Sequence, residues 1–81
     1  MRAVMYSTAF CPYCVGARRL LKRHGIGFEE RRMRRRDRGQ LAELGGGLTY
    51  PQIVIGGQVV DGFSELRELD RDGRLVALAR E

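Results

Sequence analysis

Cysteine, histidine, lysine and long apolar runs are all scarce in this chain, and each scarcity excludes something. No apolar run approaches the roughly 18 residues a membrane span needs, so no transmembrane segment and no membrane partner are predicted. The first residues, Met1-Arg2-Ala3-Val4-Met5-Tyr6, carry one charge and reach polar positions too soon for a signal peptide's apolar segment. The expected location is therefore the cytoplasm. Two cysteines and one histidine, His24, cannot supply the four N or S ligands of a zinc site within one chain, so zinc would require a dimer and no metal is expected. His24 is read as an ordinary helix-end residue. No internal repeat, linker or low-complexity tail interrupts the sequence.

The 81 residues allow one domain, 1–81, and a domain this small buries only roughly 60% of the surface its unfolded chain exposes. Hydrophobic residues at 43% and charged residues at 31% exclude both intrinsic disorder and a structureless basic tail. Fifteen basic against ten acidic residues give a net charge of +5, which suits nucleic acid, a membrane surface or acidic proteins without choosing among them. Lys22 is the only lysine and the other cations are arginines, a bias read as coding preference more than as a binding need.

Arg2 to Tyr6 reads as a short strand, and Ser7-Thr8-Ala9-Phe10 leads from it to Cys11-Pro12-Tyr13-Cys14. Pro12 suits the first position of a helix, where its missing N–H costs nothing; Ala17, Leu20, Leu21 and His24 continue at helical spacing until Gly25 and Gly27 end it. Cys11 is thereby placed at a helix N-cap. A second strand is expected over Gly27–Arg31, then an arginine-rich stretch and a short helix from about Asp37 to Leu44, stopped by Gly45-Gly46-Gly47. Pro51–Ile55 and Gln58–Val60, joined by Gly56-Gly57, form the clearest hairpin signal. Phe63, Leu66 and Leu69 mark a helix, and Leu75, Val76 and Leu78 follow a break at Asp72-Gly73, so the pattern ends in helix. The order β-α-β-α-β-β-α predicts an α/β sandwich around a mixed four-stranded sheet, whose first parallel pair is joined by a helical crossover.

Cys11 and Cys14 form one C-x-x-C motif between a strand and a helix, which in a chain expected in the cytoplasm reads as a redox pair. Only a thiolate attacks a disulfide, and an ordinary thiol is mostly protonated at neutral pH. The free amides of a helix's first turn and the positive end of its dipole suit an anion at the N-cap. Cys11 is thus the expected nucleophile, and Cys14, a turn further on, the resolving thiol. A structural disulfide here would close a loop of four residues, giving about 2 kcal/mol, and a reducing compartment would oppose it.

The Cys11-Pro12-Tyr13-Cys14 motif is similar to the active site of dithiol glutaredoxins, and Thr49-Tyr50-Pro51-Gln52 and Gly62-Phe63-Ser64-Glu65-Leu66 resemble that family's later signatures. The resemblance spans nearly the whole chain. It implies a thioredoxin-like sandwich, its mixed four-stranded sheet flanked by three or four helices, with a cis Pro51 facing the cysteines. It also implies a glutathione groove beside Cys11. In that groove the Tyr50 backbone would pair with the tripeptide and Tyr13 would form a wall, while Thr49, Pro51 and Gly62 also belong to the expected contact set. The N–H groups at Phe63 and Ser64 would hold the γ-glutamyl carboxylate. That last contact has its own physical basis, since amides at a helix start bind anions. Core packing is the plain reading of Phe63, and an N-cap that of Ser64.

Three positions depart from the family's pattern: Thr8 stands where a lysine often holds the glycine carboxylate, Tyr50 replaces a commoner valine, and Asp61 replaces the first of two glycines. Asp61 brings negative charge near the expected γ-glutamyl carboxylate. Six arginines fall within Arg31–Arg38, where the family often carries acidic residues. They are read either as a solvated surface loop or as a charge that steers glutathione or an acidic partner, one arginine standing in for the lysine missing at Thr8. No aromatic residue interleaves them, which weighs against nucleic acid as partner.

The expected function is that of a monomeric glutathione-dependent thiol–disulfide oxidoreductase acting on disulfide-containing or glutathionylated proteins, with glutathione as co-substrate. A second reading, suggested by Asp61-Gly62-Phe63, is a redoxin recharged by thioredoxin reductase that supplies ribonucleotide reductase. An arginine-rich nucleic-acid-binding module and a dimer bridging an iron–sulfur cluster are the remaining alternatives, Pro12 weighing against the last.

Overall fold

The computed structural model describes residues 3–43 and 49–80. Strand β1 spans Ala3–Thr8, helix α1 Pro12–Arg23 and strand β2 Phe28–Met33. A 3-10 turn at Arg35–Asp37 leads into helix α2, Arg38–Glu43. Strands β3, Gln52–Ile55, and β4, Gln58–Asp61, precede helices α3, Gly62–Arg71, and α4, Arg74–Ala79. The expected triple-glycine stop at Gly45-Gly46-Gly47, with Leu44, and the expected strand start at Arg2 lie outside the described residues.

The four strands form one mixed sheet in the order β2-β1-β3-β4. β1 runs parallel to β2 and antiparallel to β3, and β3 is antiparallel to β4. Alternation explains why β1 sits inside: Ala3, Met5 and Ser7 are buried while Val4 and Tyr6 are half-buried on the other face. The β3–β4 connection is the expected two-residue turn, with φ of 57° at Gly56 and 76° at Gly57, the pair of positive values that a type I′ hairpin needs.

Helix α1 begins with Pro12 and buries Cys14, Ala17, Leu20 and Leu21 along one face. It ends in a Schellman motif. The Gly25 N–H donates to Lys22 O and the Ile26 N–H to Leu21 O, both at 3.0 Å, while Gly25 takes the left-handed φ of 67°. Ile26 and Leu21 are both buried there, joining the turn to the core. That core also takes Met5, Ile53, Ile55 and Val60 from the sheet, Leu66 and Leu69 from α3, and Leu75 and Ala79 from α4.

Several boundaries differ from expectation. β1 continues to Thr8, because Ser7 and Thr8 are buried strand residues, not an exposed lead-in. β2 runs two residues further than Arg31, so Arg32 and Met33 belong to a strand and not to a surface loop. The strand order leaves β2 at the sheet's edge, where exposed arginines discourage edge-to-edge pairing with another chain. The break at Asp72-Gly73 falls where expected, dividing α3 from α4, with Gly73 at φ 72°.

Candidate active site

The sheet register gathers the expected site residues at one end. Tyr6 pairs with Gln52, and Gln52 with Asp61, so the exit of β1, the entry of β3 and the exit of β4 lie side by side. Cys11 follows the first, Thr49-Tyr50-Pro51 precedes the second, and Gly62-Phe63-Ser64 follows the third. Thr8 pairs with Met33, which brings the end of β2 and Arg34 to the same place. The Tyr50–Pro51 bond is cis, as the resemblance implies, and Pro51 is fully buried.

Cys11 is the N-cap of α1, with φ −112° and ψ 100°. Its Sγ accepts the Cys14 backbone N–H at 3.2 Å, and its carbonyl accepts the N–H groups of Cys14 and Val15. The first-turn dipoles are therefore aimed at that sulfur. Both cysteines are free thiols, but they are not equivalent. Cys11 is half-exposed, whereas Cys14 is 1% exposed. Burial above all, then the hydrogen bond to the Cys11 side chain and the Cys11 charge, push the Cys14 thiol up to about 12; a backbone contact at Thr8 and the charge of Arg18 oppose the rise. At neutral pH Cys14 keeps its proton, so the partner that can meet an incoming disulfide is Cys11.

Around Cys11 the surface is apolar and open: Phe10 is 96% and Tyr13 63% exposed, with Val15 beside them. Phe10 takes a positive φ of 56°, uncommon for a side-chain-bearing residue, in the turn that delivers Cys11. Cys11 and Cys14 line a cavity of about 430 Å³ together with Thr8, Phe10, Arg18 and Arg32. A second cavity adjoins it, sharing Thr8, Phe10 and Arg32 and adding Arg34 and Gln40.

A buried-edge polar network that sequence reasoning missed supports the dithiol from below. Arg18 Nε and Nη2 donate to the two oxygens of Glu30 at 2.8 and 2.6 Å, and the Ser7 hydroxyl donates to Glu30 Oε2 at 2.7 Å. The Arg18 guanidinium is the main reason the Glu30 carboxyl sits at about 2 instead of 4.5, with the Ser7 hydroxyl helping against partial burial. In return Glu30 raises the pKa of Arg18 and fixes its charge near both cysteines. The spacing of Arg18 four residues after Cys14 was a readable signal of a shared helix face. Glu30 was not, because its place depends on the β1–β2 register.

At the other helix start, Asp61 is the N-cap of α3 but its side chain makes no capping bond. Gln52 Nε2 donates to Asp61 Oδ1 at 2.5 Å and to Thr49 O at 2.9 Å, while the Asp61 N–H donates to Glu65 Oε2 at 3.1 Å. Ser64 is therefore not the N-cap; β4 runs one residue further than expected, to Asp61, and moves the cap three residues upstream. Phe63 packs against the core as its plain reading implied, and its ring lies 6.5 Å from that of Tyr13. Tyr50 Oη donates to Arg34 O at 2.9 Å, tying the residue before Pro51 to the segment after β2. His24 is more than a helix end, since Nε2 meets Asp70 Oδ1 at 2.6 Å and links α1 to α3. Among the described residues, no three His, Cys, Asp or Glu side chains gather in a metal-holding group.

Comparison with known proteins agrees with this geometry. The Glutaredoxin family model matches residues 3–60. A glutaredoxin from Pseudomonas aeruginosa is 44% identical over 77 residues, covering 93% of this chain and 92% of that protein. Among solved structures, a buckwheat glutaredoxin–glutathione complex matches with a TM-score of 0.82 at 25% identity, over 96% of this chain and 76% of that one. The glutaredoxin of Brucella melitensis matches with a TM-score of 0.78 at 31% identity, over 100% of this chain and 92% of that one. The mixed sheet with its helices is thus the thioredoxin-like fold, and the two unequal thiols at the head of α1 sit in a chain that belongs to the glutaredoxin family of thiol–disulfide oxidoreductases.

Proposed function

We propose that the protein reduces protein disulfides and glutathione mixed disulfides with glutathione as reductant, Cys11 attacking and Cys14 resolving. The observation that carries this reading is the inequality of the thiols: a half-exposed cysteine whose sulfur accepts a first-turn amide, and a buried one that keeps its proton. The Cys11 thiolate attacks one sulfur of the substrate disulfide, forming a mixed disulfide and expelling the first substrate thiolate. Cys14 then attacks the Cys11 sulfur, its proton passing to the second departing thiolate as the Cys11–Cys14 bridge forms. One glutathione thiolate opens that bridge at Cys11, and a second displaces the glutathionyl group as oxidised glutathione. On a glutathionylated protein the Cys11 thiolate takes the glutathionyl group directly, and Cys14 is not needed.

Glutathione dependence is supported by the placement of Tyr13, Thr49, Tyr50, Pro51, Gly62, Phe63 and Ser64 at one end of the sheet. The α3 amides at Gly62, Phe63 and Ser64 receive no cap from Asp61, whose carboxylate is turned to Gln52; that leaves a helix start suited to a carboxylate. Arg32 and Arg34 line the cavities next to Cys11 and add attraction for an anion. The buckwheat relative, of the same fold, was solved with glutathione. The reading takes residues 1–81 as one domain working as a monomer in the cytoplasm.

Turnover of a glutathione mixed disulfide, coupled to NADPH through glutathione and glutathione reductase, tests the proposal, with a parallel assay coupled to thioredoxin reductase. Turnover in the first assay is expected. Turnover only in the second would replace it with a thioredoxin-reductase-fed redoxin.

A further inference from the structure

Sharing no lining residue with the cysteines' cavity, a groove bordered by α1 and α3 is unused by the chemistry above. Its floor is Gly16, Leu20 and Phe63, and its walls are arginines: Arg19 and Arg23 from α1, Arg67 and Arg71 from α3. Each pair is spaced i,i+4 and so shares one helix face. Gly16 makes the floor possible, because a Cβ there would stand 2.9 Å from Phe63 Cζ. Arg67 lies over the Phe63 ring at 5.7 Å. The one carboxylate lining the groove, Asp70, is already engaged by His24 at 2.6 Å. Among the described residues none of the four arginines forms a salt bridge, so four positive charges face one groove that holds a single carboxylate.

We propose that this groove docks an acidic segment of the protein whose disulfide Cys11 attacks. The proposal rests on the thiol–disulfide oxidoreductase reading and assigns its preferred partner class. Position argues for it. The Phe63 ring is 6.5 Å from that of Tyr13, the residue before Cys14, so the Gly16 and Phe63 end of the groove lies next to the dithiol motif and the groove runs from there along α1. From Tyr13 to Arg23 the helix rises about 15 Å at 1.5 Å per residue, enough for about four or five residues of extended chain. Charge argues for it too, since carboxylates laid between two arginine pairs would form exposed ion pairs on both sides. Nucleic acid fits less well. The groove's one aromatic ring lies against Gly16 and under Arg67, which leaves no stacking platform for a base.

The test uses the reduced protein and a peptide homodisulfide, whose reaction yields the Cys11–Cys14 disulfide and two peptide thiols. Peptides carrying four glutamates beside the cysteine, on either side, are compared with glutamine versions, and neutral bis(2-hydroxyethyl) disulfide serves as the small substrate. Each exposed pair contributes about a twofold effect, so with four pairs the second-order rate constant for the acidic peptide should exceed the neutral one by about 16-fold at low salt. That ratio should collapse at 0.5 M salt as screening sets in. Replacing Arg19, Arg23 and Arg71 with glutamine should reduce it to about twofold. Replacing Lys22, Arg74 and Arg80, an equal loss of charge elsewhere, should leave most of it. Equal rates for the two peptides, or the same fall in both triple variants, would overturn the proposal. So would an oligonucleotide that binds more tightly than the acidic peptide through the same three arginines. Failure of the small disulfide to oxidise the dithiol would instead overturn the oxidoreductase reading beneath it.

Discussion

Replacing Glu30 with glutamine separates the polar support of the dithiol from the rest of the fold. The carboxyl is held at about 2 against an ordinary 4.5, a difference of about 3 kcal/mol at 1.36 kcal/mol per unit. Its side chain is 23% exposed and that of Arg18 26%, so solvent screening brings the expected loss nearer about 2 kcal/mol. The folded value lies below the unfolded one; the stabilisation is therefore complete above about pH 4.5 and disappears as pH falls toward 2. Urea unfolding followed by circular dichroism at pH 6.5 and pH 2.5, on wild type and Glu30→Gln, measures this directly. The two proteins should differ by about 2 kcal/mol at the higher pH and by under about 1 kcal/mol at the lower. Other carboxylates titrate equally in both and cancel. A difference that is absent at pH 6.5, or unchanged at pH 2.5, would refute the reasoning.

Arg18→Met should push the Cys14 thiol still higher, because burial raises it and the Arg18 charge is among the few influences opposing that rise. Resolution by Cys14 should slow about threefold, seen as slower protein-disulfide reduction, with deglutathionylation, which bypasses Cys14, slowed less. Gly56→Ala should destabilise the fold by about 3 kcal/mol in thermal or urea unfolding. It combines a left-handed backbone penalty of about 1 to 2 kcal/mol with a Cβ only 2.3 Å from the Leu78 carbonyl oxygen. Gly57→Ala, with a positive φ but nothing within 4 Å, should show the backbone penalty of about 1 kcal/mol alone.

The elements most legible in the sequence were those set by local rules. Pro12 and the apolar spacing of Ala17, Leu20 and Leu21 placed α1, Gly25 ended it, and Gly56-Gly57 marked the hairpin. Cys11 as an N-cap followed from the same local logic. What was not legible depends on contacts distant in sequence. Ser7 and Thr8 look like a polar lead-in until pairing with Arg32 and Met33 shows them to be strand. Arg32 and Met33 look like loop until the parallel pairing with β1 makes them strand. The Arg18–Glu30 pair needs the same parallel register, which no local pattern announces. The arginine groove was equally hidden: the cluster at Arg31–Arg38 is contiguous in sequence, while Arg19, Arg23, Arg67 and Arg71 become neighbours only when α1 and α3 pack.

The central claim, that Cys11 attacks and Cys14 resolves, is tested most directly by trapping. Cys14→Ser, treated with oxidised glutathione and examined by intact mass and peptide mapping, should carry one glutathionyl group on Cys11 and should still deglutathionylate a substrate protein while failing to reduce a protein disulfide. Cys11→Ser should form no adduct on the same timescale and lose both activities. An adduct forming as fast on Cys14 in the second variant, or equal loss of both activities in the first, would contradict the account.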